Sequence, residues 1–266
     1  LGNFMFMGPT GSGKTHLART LAKQAFGSNE NLCVVDMSEM MEAHSVSKLI
    51  GSPPGYVGYG ESNIFWNQLQ KYPSSVFLFD EVEKAHPDVT NVLLTMMDEG
   101  MVTGSTGKKA DCRNCIIILT SNLGAADNER NNIGFGRSLE RTGEDDKAVK
   151  DFFRPEFRNR LDAICKFNKL DQLSMKKIVV KFTETLKTSL KDTYDITLNF
   201  SDSVIEYLAN KGYDPKMGAR PLGRKIDELV RVPLSKKILF ERIKNATITV
   251  NMTGEDISFD VQQKLT

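Results

Sequence analysis

The feature that most restricts the fold of this chain is a glycine-rich segment near its start. Residues 8–15 read Gly-Pro-Thr-Gly-Ser-Gly-Lys-Thr, so a pair of glycines five positions apart is followed directly by a lysine and a threonine. Glycines at this spacing let the backbone curl until successive N–H groups point at phosphate oxygens. The segment lies between an apolar run at residues 4–7 and a stretch with apolar residues at helical spacing. This order predicts a buried strand, a phosphate-binding loop and a helix.

Each position of this loop has an expected part in nucleotide binding. The candidate nucleotide-binding residues are Gly8, Pro9, Thr10, Gly11, Ser12, Gly13, Lys14 and Thr15. We expect Lys14 to neutralise the β- and γ-phosphates of ATP and Thr15 to bind Mg²⁺. The positive end of the following helix favours the same anion. A glycine-rich turn without a ligand is the alternative, and the strand and helix on either side disfavour it.

An acidic pair follows a second apolar run. Residues 76–79 are all apolar and lead into Asp80 and Glu81. In an open α/β sheet, an acid at the carboxyl end of a strand can reach a metal ion held at the phosphate loop. We therefore expect Asp80 to bind Mg²⁺ together with Thr15, and Glu81 to orient the attacking water. Without the loop, the same pattern would more often be a strand entering its turn.

The order of the predicted elements indicates an α/β fold. Strands are predicted at residues 32–35, 76–79, 115–119 and 163–167, and helices between them at residues 64–71 and 87–98. This alternation predicts a parallel sheet with helices on both faces. The following segment is mostly helical, with helices predicted at 174–192, 202–211 and 222–242 and strands at 246–252 and 257–261. We expect a large ATPase domain at residues 1–168 and a small, mostly helical domain at residues 169–266.

Composition excludes several classes of protein. The net charge is +1 over 266 residues, whereas nucleic-acid-binding proteins usually carry a basic surplus. No apolar stretch approaches the roughly 20 residues that cross a bilayer. We therefore expect neither a nucleic-acid partner nor a membrane partner. Four cysteines without a secretory signal predict a cytoplasmic location. The chain starts at Leu1 rather than at a methionine, which indicates a fragment of a longer protein.

Two further motifs are typical of other functions, one of GTP binding and one of metal binding. Residues 168–171 read Asn-Lys-Leu-Asp, a guanine-reading pattern of GTPases. GTPases also carry Asp-x-x-Gly at the second strand, and residues 80–83 lack that glycine, so a GTP-dependent switch is only a distant alternative. Cys112 and Cys115 form a Cys-x-x-Cys motif. No second pair and no nearby histidine completes a metal site, so we expect both cysteines to pack within a strand.

The sequence also resembles a known family over essentially its whole length. The resemblance is carried, in order, by residues 51–59, Gly-Ser-Pro-Pro-Gly-Tyr-Val-Gly-Tyr, and then by residues 80–89, 157–162 and 218–222. These segments are similar to the Clp/Hsp100 AAA+ unfoldases, and in particular to their second ATPase module. The resemblance implies an ATP-driven protein unfoldase of the ClpA or ClpC type. A ClpB-type disaggregase is the first alternative, and an AAA+ machine that remodels nucleic acid is disfavoured by the neutral charge.

The resemblance assigns roles to three polar residues. Asn122 is similar to the sensor that helps to place the water, and Arg160 to the arginine finger given to the ATP of a neighbouring subunit. Arg220 is similar to the second sensor, which touches phosphate within its own subunit. A guanidinium at the transferring phosphate can be worth about 10³ or more in rate. A finger supplied to a neighbour requires a ring with head-to-tail contacts, and the family implies a homo-hexamer.

The resemblance also assigns residues that contact other proteins. Tyr56 and Val57 would form the pore loop that grips unfolded protein substrates, although residues 55–58 alone could be a turn with a packed tyrosine. Residues 101–109 would form a second hairpin facing the pore. Ile133, Gly134 and Phe135 stand in an otherwise polar stretch and would dock on a ClpP-like peptidase. Alternatively, the two apolar side chains fold back onto their own domain.

Overall fold

A computed structural model describes residues 1–52, 63–104, 107–123 and 150–263. The chain divides into two compact units. The first consists of residues 1–9 and 13–168, and the second of residues 10–12 and 169–266.

The first unit is built on a five-stranded sheet. Its strands are β1 (Gly2–Met7), β2 (Leu32–Asp36), β3 (Val76–Asp80), β6 (Ile116–Ser121) and β7 (Ala163–Lys166). Their order across the sheet is β2-β3-β6-β1-β7, and every pairing is parallel. The predicted parallel sheet is confirmed, with strand ends shifted by one or two residues from the predicted bounds.

Both faces of this sheet are buried, which is why its central strands are almost continuously apolar. Along β3, Phe77 and Phe79 belong to one apolar cluster, whereas Val76 and Leu78 belong to another. Successive side chains of a strand point to opposite faces, so each cluster fills one side. A small antiparallel hairpin, β4 (Met101–Thr103) and β5 (Lys109–Asp111), lies outside the sheet.

Helices cover the two faces, and their ends follow local signals. They are α1 (Lys14–Phe26), α2 (Val46–Ile50), α3 (Ile64–Lys71), α4 (Pro87–Glu99) and α5 (Pro155–Arg158). Helix α3 starts where the Asn63 side chain accepts a hydrogen bond from the Trp66 N–H at 2.8 Å, a standard N-cap. Helices α1 and α4 end at Gly27 and Gly100, both with left-handed backbone, where glycine carries no Cβ penalty.

The second unit combines helices with a three-stranded sheet. Its elements are α6 (Gln172–Tyr194), β8 (Thr197–Phe200), α7 (Asp202–Lys211), α8 (Leu222–Ile226), α9 (Val232–Phe240), β9 (Ala246–Thr253) and β10 (Asp256–Gln263). Strand β9 pairs antiparallel with β10 and parallel with β8. The sequence did not predict β8. Among the described residues, no helix is long and apolar enough to cross a membrane.

The helix predicted at residues 222–242 is confirmed over residues 222–240, which form one continuous helical stretch with a π-helical turn inside it. The chain forms α8, then a π-helical turn at Asp227–Arg231, then α9, which ends at Phe240. Pro233 is the second residue of α9, and proline has no N–H to donate to the carbonyl four residues earlier. The preceding turn therefore widens to a π-helical pattern, which apolar periodicity alone does not reveal.

Candidate functional site

The glycine-rich loop connects β1 to α1, as the sequence predicts. Gly8, Gly11 and Gly13 have φ angles of 147°, 74° and 103°, values that side-chain-bearing residues rarely adopt. A Cβ on Gly8 would lie 2.2 Å from the carbonyl oxygen of Phe167. Only glycine therefore fits at the first position of the loop. The loop ends at the N-terminus of α1, and backbone N–H groups at a helix N-terminus favour an anion.

Lys14 is the first residue of α1, and its side chain turns back under the loop. Its Nζ donates to the carbonyl oxygens of Gly8 and Pro9 at 2.6 and 3.1 Å, and to Oδ1 of Asn122 at 2.9 Å. The residue is only 7% exposed. Burial lowers the pKa of Lys14, and the nearby charges of Asp80, Glu83 and Glu81 oppose that shift. Anionic phosphate oxygens make stronger hydrogen bonds with an ammonium than neutral carbonyls do.

The two acids lie at the carboxyl end of β3. Asp80 is the last residue of the strand, and its Oδ1 accepts a hydrogen bond from the Thr120 hydroxyl. Glu81 has a left-handed backbone with φ of 58°. Its N–H donates to Oγ1 of Thr120 at 3.0 Å. Its Oε2 pairs with the ammonium of Lys84, which is partly exposed.

Asn122 links the loop lysine to the second acid. It follows β6, and its Nδ2 donates to Oε1 of Glu81 at 3.0 Å while its Oδ1 accepts from Lys14. The structure thus brings Lys14, Asp80, Glu81 and Asn122 together beyond the carboxyl ends of adjacent parallel strands. That edge is where open α/β sheets bind ligands.

Two residues of this cluster were missed by sequence reasoning. Thr120 contacts both acids, as described above, and Oε1 of Glu83 accepts the backbone N–H of Asn122 at 3.0 Å. Glu83 belongs to the acidic run after β3, but its position in the sequence does not indicate a contact with Asn122. For Thr120 no sequence signal existed, because a buried threonine on a strand usually packs as a β-branched residue.

The donor set fits Mg²⁺. Thr15 follows Lys14 in the first turn of α1, and Asp80 ends β3. A hydroxyl and a carboxylate are hard oxygen ligands, and Mg²⁺ is usually held by one or two of them together with waters and substrate phosphates. The described residues contain no group of three or more histidine, cysteine or acidic side chains that could hold a metal ion. A Mg²⁺ site that nucleotide phosphates complete does not need three protein ligands of this kind.

Each of the two candidate arginines is described within its own unit. Arg160 follows α5, and its Nη2 pairs with the carboxylate of Asp98 at 3.1 Å, with 47% of its side chain exposed. None of its described contacts involves the Lys14 and Glu81 cluster. Arg220 is exposed in the second unit and precedes α8. The roles of both arginines stay predictions.

Several other predicted residues lie outside the described part of the chain. These are Tyr56, Val57, Ile133, Gly134 and Phe135. The hairpin expected at residues 101–109 is present as β4 and β5, and its place in a pore stays a prediction.

The two competing motifs have structural explanations. The expected packing within a strand is wrong, because Cys112 and Cys115 lie in the connection between β5 and β6. Both are buried free thiols, and burial raises the pKa of both, to about 12 for Cys112. Within the guanine-like motif, Oδ1 of Asp171 accepts the Ser174 N–H at 2.7 Å and caps α6. That contact gives Asp171 a structural role.

The fold and the cluster define the class of the protein. A parallel sheet with a glycine-rich loop after β1, acids after β3 and a polar residue after β6 is that of a P-loop ATPase domain of the AAA+ type. Residues 1–164 match the family described as "AAA domain (Cdc48 subfamily)", and residues 170–252 match "C-terminal, D2-small domain, of ClpB protein". The chain belongs to this AAA domain family, and the predicted relationship to Clp/Hsp100 proteins is confirmed.

Named relatives agree with this assignment. The chain is 45% identical over 264 residues to a ClpA homolog protein from Fuscovulum blasticum. It is 41% identical over 274 residues to the ATP-dependent Clp protease ATP-binding subunit ClpC of Staphylococcus saprophyticus. Each alignment covers 99% of this chain and 33% of the relative. The chain therefore spans about a third of the length of these curated relatives.

A solved structure shows the same fold. It is a closed-state cryo-EM reconstruction of Hsp104 with ATPγS and FITC casein, 40% identical in sequence, with a TM-score of 0.82. The match covers 98% of this chain and 45% of the Hsp104 chain.

Proposed function

We propose that this chain is the ATP-hydrolysing module of a Clp-type protein unfoldase. The observation that carries the proposal is the bridge formed by Asn122 between Lys14 and Glu81, next to the glycine-rich loop. It joins a phosphate-binding cation to a carboxylate that can polarise water. The domains proposed are residues 1–168 for the large ATPase domain and residues 169–266 for the small one.

Each residue then has a chemical task. The loop and Lys14 bind the triphosphate of ATP, and Thr15 and Asp80 would hold Mg²⁺, which would supply positive charge at the phosphates. Glu81 accepts a proton from the attacking water, and Asn122 keeps its carboxylate oriented. Arg160 would act on the ATP of a neighbouring subunit in a homo-hexamer, and Arg220 on the ATP of its own subunit.

The substrate class follows from the relatives and from the pore-loop sequence. The Hsp104 reconstruction contains casein, a polypeptide, and the ClpC relatives are named as subunits of a protease. We assign Tyr56 and Val57 to a loop that grips unfolded chains by side-chain bulk, in a complex located in the cytoplasm.

Two variants separate ATP hydrolysis from the unfolding of a protein substrate. Both are made in the full-length protein that contains this chain. Glu81→Gln should bind ATP and hydrolyse it very slowly, because an amide cannot accept the proton of the water while Asp80 still holds Mg²⁺. Tyr56→Ala should retain ATPase activity and fail to unfold a tagged, stably folded substrate. Near-normal turnover by Glu81→Gln would place the base elsewhere, and equal loss of both activities in Tyr56→Ala would indicate a structural tyrosine.

We further propose that this unfoldase delivers its substrates to a ClpP-like peptidase. It rests on the apolar-Gly-apolar tripeptide Ile133, Gly134 and Phe135 and on relatives of the ClpA and ClpC type. Weak docking by each loop would be strengthened by avidity in a hexamer. Replacing Ile133 and Phe135 with serine should abolish co-sedimentation with the cognate peptidase in the presence of ATP, while ATP turnover persists. Undiminished co-sedimentation of the double variant would reject the docking loop.

A ClpB-type disaggregase is the second candidate. It is favoured by the match of residues 170–252 to the ClpB small domain and by the Hsp104 fold. If the unmutated protein does not co-sediment with any peptidase but restores activity to a heat-aggregated reporter enzyme, the disaggregase assignment holds.

A further inference from the structure

Thr120 is a buried hydroxyl located between the two candidate catalytic acids. The residue is fully buried on β6. Its Oγ1 donates to Oδ1 of Asp80 and accepts from the N–H of Glu81 at 3.0 Å. A hydroxyl has one hydrogen to donate and two lone pairs to accept with. Donation to Asp80 therefore uses its only hydrogen and leaves a lone pair for Glu81.

The strand that carries Thr120 holds it in a fixed place. Strand β6 lies between β3 and β1 in the sheet. Thr120 pairs with Phe6 on β1, and the preceding residue, Leu119, pairs with Phe79 on β3. The register thus fixes the backbone of Thr120, and its hydroxyl lies beside the carboxyl end of β3, where it bonds to Asp80 and Glu81.

The backbone of Glu81 needs such an anchor. Its φ of 58° is uncommon for a residue with a side chain, and conformations of this kind persist when the surroundings hold them. The hydrogen bond to Thr120 is one of those constraints. Glu81 is therefore held at its backbone by Thr120 and at its side chain by Asn122.

Packing alone does not require this hydroxyl. Valine has nearly the same shape as threonine and favours buried strands, so an apolar residue would fill the position equally well. We propose that Thr120 is a positioning residue for ATP hydrolysis, whose hydroxyl fixes Asp80 and Glu81 relative to each other without touching the nucleotide. This inference rests on the proposed ATPase function.

The experiment compares Thr120→Val with Thr120→Ser in the full-length protein. Valine keeps the shape and removes the hydroxyl, whereas serine keeps the hydroxyl and removes a methyl group. We expect kcat for ATP hydrolysis to fall about 10²-fold in Thr120→Val, because small misplacements of reacting groups cost rates of that order. KM for ATP should stay close to that of the unmutated protein. Thr120→Ser should retain most of kcat.

Three outcomes would contradict a positioning role for Thr120. An unchanged kcat in Thr120→Val, a Thr120→Ser variant as slow as Thr120→Val, or a rise in KM alone would overturn the inference. Assays are run where circular dichroism shows every variant folded, and Thr120→Ala, which removes the hydroxyl without adding volume, must show the same loss of kcat. An unmutated protein that does not hydrolyse ATP would overturn the proposed function and this inference with it.

Discussion

Nδ2 of Asn122 donates a hydrogen bond to Oε1 of Glu81 at 3.0 Å. The same side-chain amide accepts a hydrogen bond from Lys14, so one residue orients both the candidate base and the candidate phosphate-binding cation. This arrangement makes Asn122 the polar centre of the site.

Asn122→Ala should lower kcat for ATP hydrolysis by about 10- to 100-fold while ATP still binds. The Glu81 carboxylate loses its orienting donor, and misoriented catalytic groups cost rates of this size. Steady-state ATPase assays and titration of a fluorescent ATP analogue measure the two effects. Asn91→Ala, at an exposed position on α4, is the matched control. Equal activity in the two variants would remove Asn122 from the mechanism.

Glu83→Met should reduce both stability and kcat, whereas Glu83→Gln should resemble the unmutated protein. Both substitutes match glutamate in length, but only glutamine keeps an acceptor for the Asn122 N–H. The Asn122 N–H is partly buried, so loss of its acceptor should cost up to about 1–3 kcal/mol, the cost for a buried group. Urea unfolding and ATPase assays measure the two effects. Impairment of Glu83→Gln to the level of Glu83→Met would show that the negative charge near Lys14 matters instead of the acceptor.

Lys14→Ala should abolish ATP binding, because the cation that neutralises the β- and γ-phosphates is removed. The measurement is titration of a fluorescent ATP analogue into the full-length protein. Lys23→Ala, an exposed lysine in the last turn of the same helix, should bind normally. Unchanged affinity in Lys14→Ala would disprove the phosphate-loop assignment.

Arg160→Ala subunits should regain part of their ATPase activity when mixed with Lys14→Ala subunits. Each variant lacks a different half of a shared site, so some interfaces in mixed rings are complete. Asp98→Asn removes the charge of the carboxylate that pairs with Arg160, and exposed ion pairs of this kind contribute about 0.2–1 kcal/mol. That variant should therefore remain active and stable. If no mixing ratio restores activity, Arg160 does not act in trans.

Cys112 and Cys115 should resist alkylation by iodoacetamide at pH 8 in the folded protein. Alkylation requires the thiolate, and burial raises the pKa of Cys112 to about 12 and that of Cys115 above its usual value. Cys165 is partly exposed and serves as the reactive control. Mass spectrometry of labelled peptides measures each site, and unfolding in urea should make all of them reactive. Rapid labelling of Cys112 in the folded state would contradict its buried position.

Sequence alone determined the parts of this protein whose signals are contiguous in the chain. The loop at residues 8–15, the acids after β3 and the alternation of strands and helices each depend on neighbouring residues, so they predicted the P-loop α/β fold. Residue pattern also found α3 and α7 at their observed bounds. Strand β8 escaped prediction because its pairing with β9 decided it. The π-helical turn before α9 has a local cause in Pro233, which apolar periodicity does not detect.

Tertiary structure alone decided which polar groups meet in the site. Asn122 contacts Lys14 across 108 positions of sequence and Glu81 across 41, and Thr120 reaches Glu81 across 39. These contacts depend on the order of the strands in the sheet and on the register that aligns their carboxyl ends. A single sequence contains neither quantity, because register is set by packing of the buried strand faces against covering helices. The sequence therefore predicted the loop, whereas the arrangement of strands in the sheet fixed the hydrogen bonds around the candidate catalytic carboxylates.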